Sequence, residues 1–316
     1  MELVKRYNED VSWCIGSLLA HDGFVIETIK VCNEIGENPN IDYVFGGIPC
    51  VMNGGRIPSR DVKDIKDAFD IIDEYNSLGI SCRLTFSNML LTDEDLGDSR
   101  SNELLERLHS NNKEYGTDNG VLVALDGLAK YIRVNYNTLS IISSLVKPSV
   151  EVGLGNESID YYNKLFDTYD RITVNPYYVN DVGFLRGLDN HDKVDFIVNH
   201  RCLPNCKFAG QHYFAQSYVE MDINKPENSS KEKLNSHLAE LKEVKDSCYS
   251  IRKKYPLAGV SYNDSDIDLL ISEGFKNFRI EGRDYDGRTF VRDLGDYVFR
   301  YNTFMRLSSA ILEGII

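Results

Sequence analysis

No stretch of this 316-residue chain holds the roughly eighteen consecutive apolar residues that a membrane-spanning helix requires. The first ten residues carry no apolar core of the kind a secretory signal has, so the sequence reads as cytoplasmic, with no membrane partner. Basic residues are in deficit: 35 Lys and Arg stand against 49 Asp and Glu, for a net charge of −14. That balance excludes a broad nucleic-acid surface, which needs clustered cations, and leaves room only for a local basic pocket. Cysteine is present seven times, an odd number at mostly wide spacings, which excludes a secreted disulfide framework and implies reduced thiols. A complete glycine fingerprint for phosphate is also missing. Residues 153–158, Gly-Leu-Gly-Asn-Glu-Ser, come near it, but Asn156 or Ser158 acting as a helix cap explains them as well.

What is present is an alternation of strands and helices with no internal repeat or low-complexity linker. Strand-like runs fall at residues 42–45, 81–87, 120–125, 139–144, 171–175, 193–199, 259–262 and 277–281. Amphipathic stretches at 62–78, 101–110, 159–166 and 231–255 lie between them. In the first, Ile65, Ala68, Phe69, Ile72 and Leu78 recur at helical spacing. Eight strands alternating with helices imply a parallel sheet, and at this length a closed (β/α)8 barrel in one domain over residues 1–316. A ninth candidate, at 2–7 or 12–16, competes with 259–262 for a place in the ring. The polar run 222–231 reads as an exposed insertion loop. Oligomeric state, homo- or hetero-, is left open.

Side chains on a barrel strand alternate between the interior and the helices. The alternation in 83–87, 171–175 and 277–281 turns Arg83, Thr85, Ser87, Thr173, Asn175, Arg279 and Glu281 inward. A barrel interior is normally filled with branched apolar residues, and buried charges have to be paired. The expected pairing is Glu281 with Arg279, Arg83 or Arg283. Active sites of such barrels lie at the carboxyl ends of the strands. Those ends supply Ser87, Asn88, Asn175, Asn199, His200, Glu281 and Arg283, and the glycine-rich loop 46–56 adds Cys50 and Arg56. Arg56 could fork onto a carboxylate or phosphate. His200 is a candidate general base, histidine being the side chain whose unperturbed pKa lies near neutrality. Cys202 and Cys206 follow an apolar strand directly, and thiolates so placed suit zinc or a corner of an iron–sulfur cluster. His200 and His212 are further donors, and a nucleophilic pairing of Cys202 with either histidine is the competing use.

Residues 274–283, Gly-Phe-Lys-Asn-Phe-Arg-Ile-Glu-Gly-Arg, resemble a signature of the collagenase-like peptidase family, an unassigned (U-type) group. Its members include RNA hydroxylases and the iron–sulfur proteins of oxygen-independent ubiquinone hydroxylation. Residues 261–268 and 43–50 are similar to the family segments before the signature and around its early glycine strand. The resemblance implies a barrel with a 4Fe–4S cluster at its mouth, held by cysteines at the positions of Cys50, Cys202 and Cys206, with zinc as the alternative. Val194 stands where the family has a glutamate, and no fourth cysteine is evident. The expected function is metal- or iron–sulfur-dependent, hydroxylation-like modification of a small-molecule or modified-base substrate. His200, Glu281 and Arg283 would be catalytic, and Arg56, Ser87, Asn88, Asn175 and Asn199 substrate-binding. A cysteine- or metal-dependent peptidase and a non-catalytic binding barrel are the alternatives.

Overall fold

Eight short strands, most of them with every residue buried or nearly so, close into a ring in chain order. They are β1 (Ser12–Gly16), β2 (Ile41–Gly46), β3 (Ser81–Phe86), β4 (Gly120–Val123), β5 (Ser140–Ser143), β6 (Arg171–Val174), β7 (Val194–Ile197) and β8 (Asn277–Ile280). All pairs are parallel, and β1 closes the ring on β8 through Cys14 opposite Arg279. The computed structural model describes residues 11–16, 18–19, 24–34, 40–55, 62, 64–254, 259–282 and 287–298. Among them the helices are α1 (Phe24–Glu34), α2 (Ile65–Ser77), α3 (Ser99–Tyr115), α4 (Asp126–Asn135), α5 (Val146–Glu151) and α6 (Ile159–Leu165). The series continues with α7 (Val182–Gly187), α8 (Ala209–Asn224), α9 (Lys231–Lys254), α10 (Asp264–Ser272) and α11 (Gly287–Tyr297). This is a single (β/α)8 barrel, and no described helix is long and apolar enough to cross a membrane.

Local chemistry sets the element ends. Ala68, Ile72 and Tyr75 of α2 form the buried face, Asp64 accepts the Lys66 amide at its start, and Gly79 at φ +76° turns the chain away at its end. The start of α10 is a reciprocal cap between Asn263 and Asp266. The main apolar core lies between strands and helices, where Val44, Leu84, Phe86, Val121, Ile141, Ile172, Phe196 and Phe278 point outward from the sheet.

Ring closure corrects the expected strand set. Residues 12–16 form β1, whereas 259–262 run above the rim. There the Val260 amide donates to the His200 carbonyl at 2.6 Å and the Tyr262 amide to the Val198 carbonyl at 2.8 Å. The edge of β7 that 259–262 would need at barrel level is already taken by β8, with Asp195 opposite Asn277. The alternative at 2–7 lies outside the described residues.

The interior is charged, as the alternation implied. Cys14, Tyr43, Phe45, Leu122 and Ile142 are its apolar part. Arg171 bonds Asp195 at 2.5 Å and also engages Asp42, while Tyr43 donates its hydroxyl to Asp195 at 2.8 Å. Arg83 lies over the Tyr43 ring and reaches Asp118 at 2.7 Å. Gly120 makes that possible: a Cβ there would stand 2.4 Å from Arg83 Nη1 and 2.0 Å from the Ser140 carbonyl. Arg83 therefore does not serve Glu281; its partner sits at the start of β4, toward the amino end of the barrel.

Between β7 and β8 the chain inserts a helical hairpin, α8 and α9, before the ordinary barrel helix α10. The run 222–231 is the tip of this hairpin. Asp222 to Asn224 close α8, Pro226–Asn228 form a 3-10 turn, and α9 starts at Lys231. Pro226, Glu227 and Asn228 are exposed, but the flanks are anchored. Asp222 is buried and paired with His237 at 2.6 Å, and Lys225 reaches Asp95 beyond β3 at 2.5 Å.

Candidate functional site

A cavity of about 390 Å3 opens at the carboxyl end of the barrel. Its floor and walls come from strand ends (Phe45, Thr85, Ser87, Leu122, Ile197, Arg279), and its roof from the hairpin: His212, Tyr213 and Gln216 of α8, Cys248 and Arg252 of α9. The residues after β7 and β8 carry its chemistry. Asn199 fixes the backbone of Glu281 at both groups, accepting the Glu281 amide at 2.8 Å and donating to its carbonyl at 2.8 Å. The same Asn199 amide donates to Asp293 at 2.9 Å. So anchored, Glu281 places Oε2 3.0 Å from His200 Nδ1. The His200 ring is 3% exposed, its Nε2 is buried without a hydrogen-bond partner, and it lines the cavity. Tyr177 flanks the imidazole edge-on, and its hydroxyl donates to the Cys202 carbonyl at 2.6 Å.

Beside this pair is a thiol group. Cys202 and Cys248 line the cavity, and Cys206 interacts with both from a buried position at the start of α8. The Cys206 thiol is lowered, chiefly by the Cys202 S–H, with the amides of Phe208 and Ala209 and the Cys248 thiol assisting against burial. Cys202 is correspondingly raised by its bond to Cys206 and by burial. Cys202 is thus hydrogen-bonded to Cys206, which does not line the cavity, and among the described contacts its thiol has no bond to a histidine.

Of the residues expected at the site, His200, Glu281, Ser87 and Cys202 meet at the cavity. Cys50 does not join them. It lies 1% exposed in the main core with Ile48 and Met52, pushed up to about 11 by burial, with Ser101 as a hydrogen-bond partner. The third thiol near Cys202 and Cys206 is Cys248, supplied from α9, 42 residues after Cys206. Asn88 donates to the Val51 carbonyl at 2.6 Å and accepts the Leu90 amide at 2.9 Å, which fixes two loops, and it does not line the cavity. Asn175 caps the turn at Tyr177 and donates to Glu157 at 3.2 Å, away from the cavity. Asn199 positions Glu281. Glu281 meets His200, while Arg279 donates to Thr173. Arg56 and Arg283 lie outside the described residues. His212, expected as a further donor, lines the cavity from α8; missed in sequence were Tyr177, Tyr213, Gln216 and Arg252, and Cys248 was visible only as a spare cysteine.

A four-thiolate cluster is not met by the donors here. Cys14 lies deep in the barrel beside Asp42 and Arg171, Cys82 is buried against Asn76, and Cys32 is in the core under α1. Among the described residues, no three His, Cys, Asp or Glu side chains form a metal-holding group.

Fold and site together define a (β/α)8 barrel with a roofed mouth cavity and an oriented histidine. No family model matches the chain, and no curated protein matches it. Solved structures similar to it include the U32 peptidase Mk0906, at 12% identity over 86% of this chain and 92% of that one, TM-score 0.49. The Bacillus cereus spore cortex-lytic enzyme SleL is similar at 9% identity over 93% and 75%, TM-score 0.40. A tryptophan synthase from M. tuberculosis is similar at 10% identity over 75% and 93%, TM-score 0.39. These likenesses are between barrels of different activities and carry no argument about chemistry.

Proposed function

We propose that this protein is a barrel enzyme that transfers a proton to or from a small molecule held in the mouth cavity, with His200 as the acid–base group. The observation that carries this reading is the asymmetry of the imidazole. Nδ1 is held by Glu281, and Nε2, buried and without a partner, belongs to a ring that lines the cavity. A carboxylate on one ring nitrogen fixes the tautomer and stabilises the imidazolium formed when the other nitrogen takes a proton. Glu281 is in turn set by Asn199, so the base rests on a rigid support. The iron–sulfur hydroxylation and zinc readings need a donor set that the described side chains do not assemble.

The test is a screen of the full chain against a panel of small polar metabolites, with product formation followed by mass spectrometry, for wild type and His200→Ala. Turnover of a panel member that drops on the order of a hundredfold or more in the variant supports the assignment. Equal turnover by the two proteins removes His200 from the reaction.

A further inference from the structure

We propose that the molecule bound in the mouth cavity carries a carboxylate, and that Arg279 receives it. This rests on the reading of the cavity as a substrate site and adds the class of substrate. Arg279 projects inward from β8, opposite Ile197 and one inward position above Asn277 and Asp195. It is 4% exposed and lines the cavity. Its Nη1 donates to Thr173 Oγ1 at 2.7 Å, and its guanidinium lies over the Phe45 ring, 4.5 Å from the centroid. A hydroxyl and a ring face support a cation without neutralising it. Among the described residues no carboxylate pairs with Arg279, its Nε is buried without an acceptor, and Nη1 is the nitrogen it spends.

Other arginines of this protein show what the remaining edge ordinarily does. Arg107, Arg171 and Arg186 each direct Nε and Nη2 together at one carboxylate, those of Asp73, Asp195 and Glu273. The same edge of Arg279 meets no described group, although it lies where a desolvated guanidinium is costly unless paired. Glu281, two residues on, spends Oε2 on His200. An in-plane carboxylate matches this open edge with two parallel hydrogen bonds. A phosphate would need donors for a third oxygen, and among the described residues the wall's other cations are committed or peripheral: Arg201 reaches Asp293 at 3.4 Å, and Arg252 is exposed on α9.

Ser87 adds a second recognition element. Its Oγ is buried without a partner in the same cavity, and the described loop residue facing it, Gly55, has no side chain to compete for it. Gly55 packs so closely that a Cβ there would be 2.3 Å from the Ser87 carbonyl. The ligand class is thus a small carboxylic acid with a further polar group, its carboxylate on Arg279 and its reacting carbon toward His200.

The experiment is isothermal titration and thermal unfolding of the full chain with acetate, lactate and succinate. Inorganic phosphate and chloride at matched ionic strength are the comparisons. Saturable binding of at least one carboxylate to wild type is expected, weakened about tenfold or more in Arg279→Lys, which keeps the charge and loses the fork, and abolished in Arg279→Met. If Arg279→Met does not fold, Arg279→Lys carries the test. No saturable binding of any carboxylate, phosphate binding more tightly than all of them, or wild-type affinity in Arg279→Lys would overturn the assignment. Absent carboxylate binding alongside His200-dependent turnover overturns this inference and leaves the acid–base reading standing. Carboxylate binding that needs Arg279 without any His200-dependent turnover does the reverse.

Discussion

A histidine acts as a base only when one nitrogen is held and the other is available, and Glu281 supplies the first condition for His200. Replacing Glu281 with Gln keeps the shape and a hydrogen bond but removes the charge that stabilises the imidazolium. Turnover of any substrate found is expected to fall on the order of a hundredfold, with little change in the thermal midpoint. Steady-state kinetics beside a melting curve check this, and an unchanged kcat would detach Glu281 from catalysis. Cys206 gives a second residue-scale prediction. With its thiol lowered by Cys202 and by the Phe208 and Ala209 amides, its alkylation rate should reach half its plateau at a lower pH than that of an ordinary thiol. Peptide mapping after iodoacetamide pulses at several pH values reads this directly, with Cys50, pushed up to about 11, as the slow internal reference.

At the scale of elements, the α8–α9 hairpin is the part of the site that ordinary barrel architecture does not dictate. It roofs the cavity, and its second helix is tied down by few groups: among α9 residues only Leu241 is buried. Two carboxylates anchor it. Burial would lift Asp95, but the Lys225 ammonium and the amide and hydroxyl of Thr92 outweigh it, and the net shift is below the ordinary 3.8. Asp222 is lowered in the same sense, with Ser229 and His237 outweighing burial. A depressed folded-state pKa means the stabilisation is present above the ordinary carboxyl value and is lost as pH falls through the folded one. Hydrogen exchange over residues 209–254 should therefore accelerate below about pH 3.8 ahead of exchange in the strands. Lys225→Met should produce the same local loosening at neutral pH. Uniform acceleration of hairpin and barrel would show that the hairpin is not a separate unit.

At the scale of the whole molecule, the barrel is held by an apolar outer layer and by an interior in which charges replace the usual branched residues. Asp195 is wholly buried and neutralises Arg171 while accepting from Tyr43. Asp195→Asn leaves that guanidinium short of its partner and should cost about 3–5 kcal/mol, measured by denaturant unfolding. A cost below about 1 kcal/mol would mean that Asp42 alone suffices. The inward placement of Arg83, Thr173 and Arg279 was legible in sequence, because strand alternation needs only neighbours two residues apart. Arg171 follows from the same rule through Thr173. The partners were not legible: Arg83 with Asp118 and Glu281 with His200 join residues 35 and 81 apart, and composition offers several carboxylates for each. Cys50 shows the same limit from the other side. Its place in a mouth loop was read correctly, but that loop folds down against Ser101, and its thiol enters the core.

The sequence by itself determined the alternation of strands and helices, the (β/α)8 class, the polar interior and the two chain segments that carry His200 and Glu281. These are properties of local periodicity and of strand ends, and short-range geometry suffices for them. Only the tertiary structure decided which eight strands close the ring, since β8 occupies the edge that residues 259–262 would have needed. It also decided that Cys248 replaces Cys50 beside the thiol pair, and that Arg279 is left without a carboxylate. Those outcomes depend on which distant side chains arrive in the same few ångströms, and that is set by closure of the barrel and by the path of the inserted hairpin.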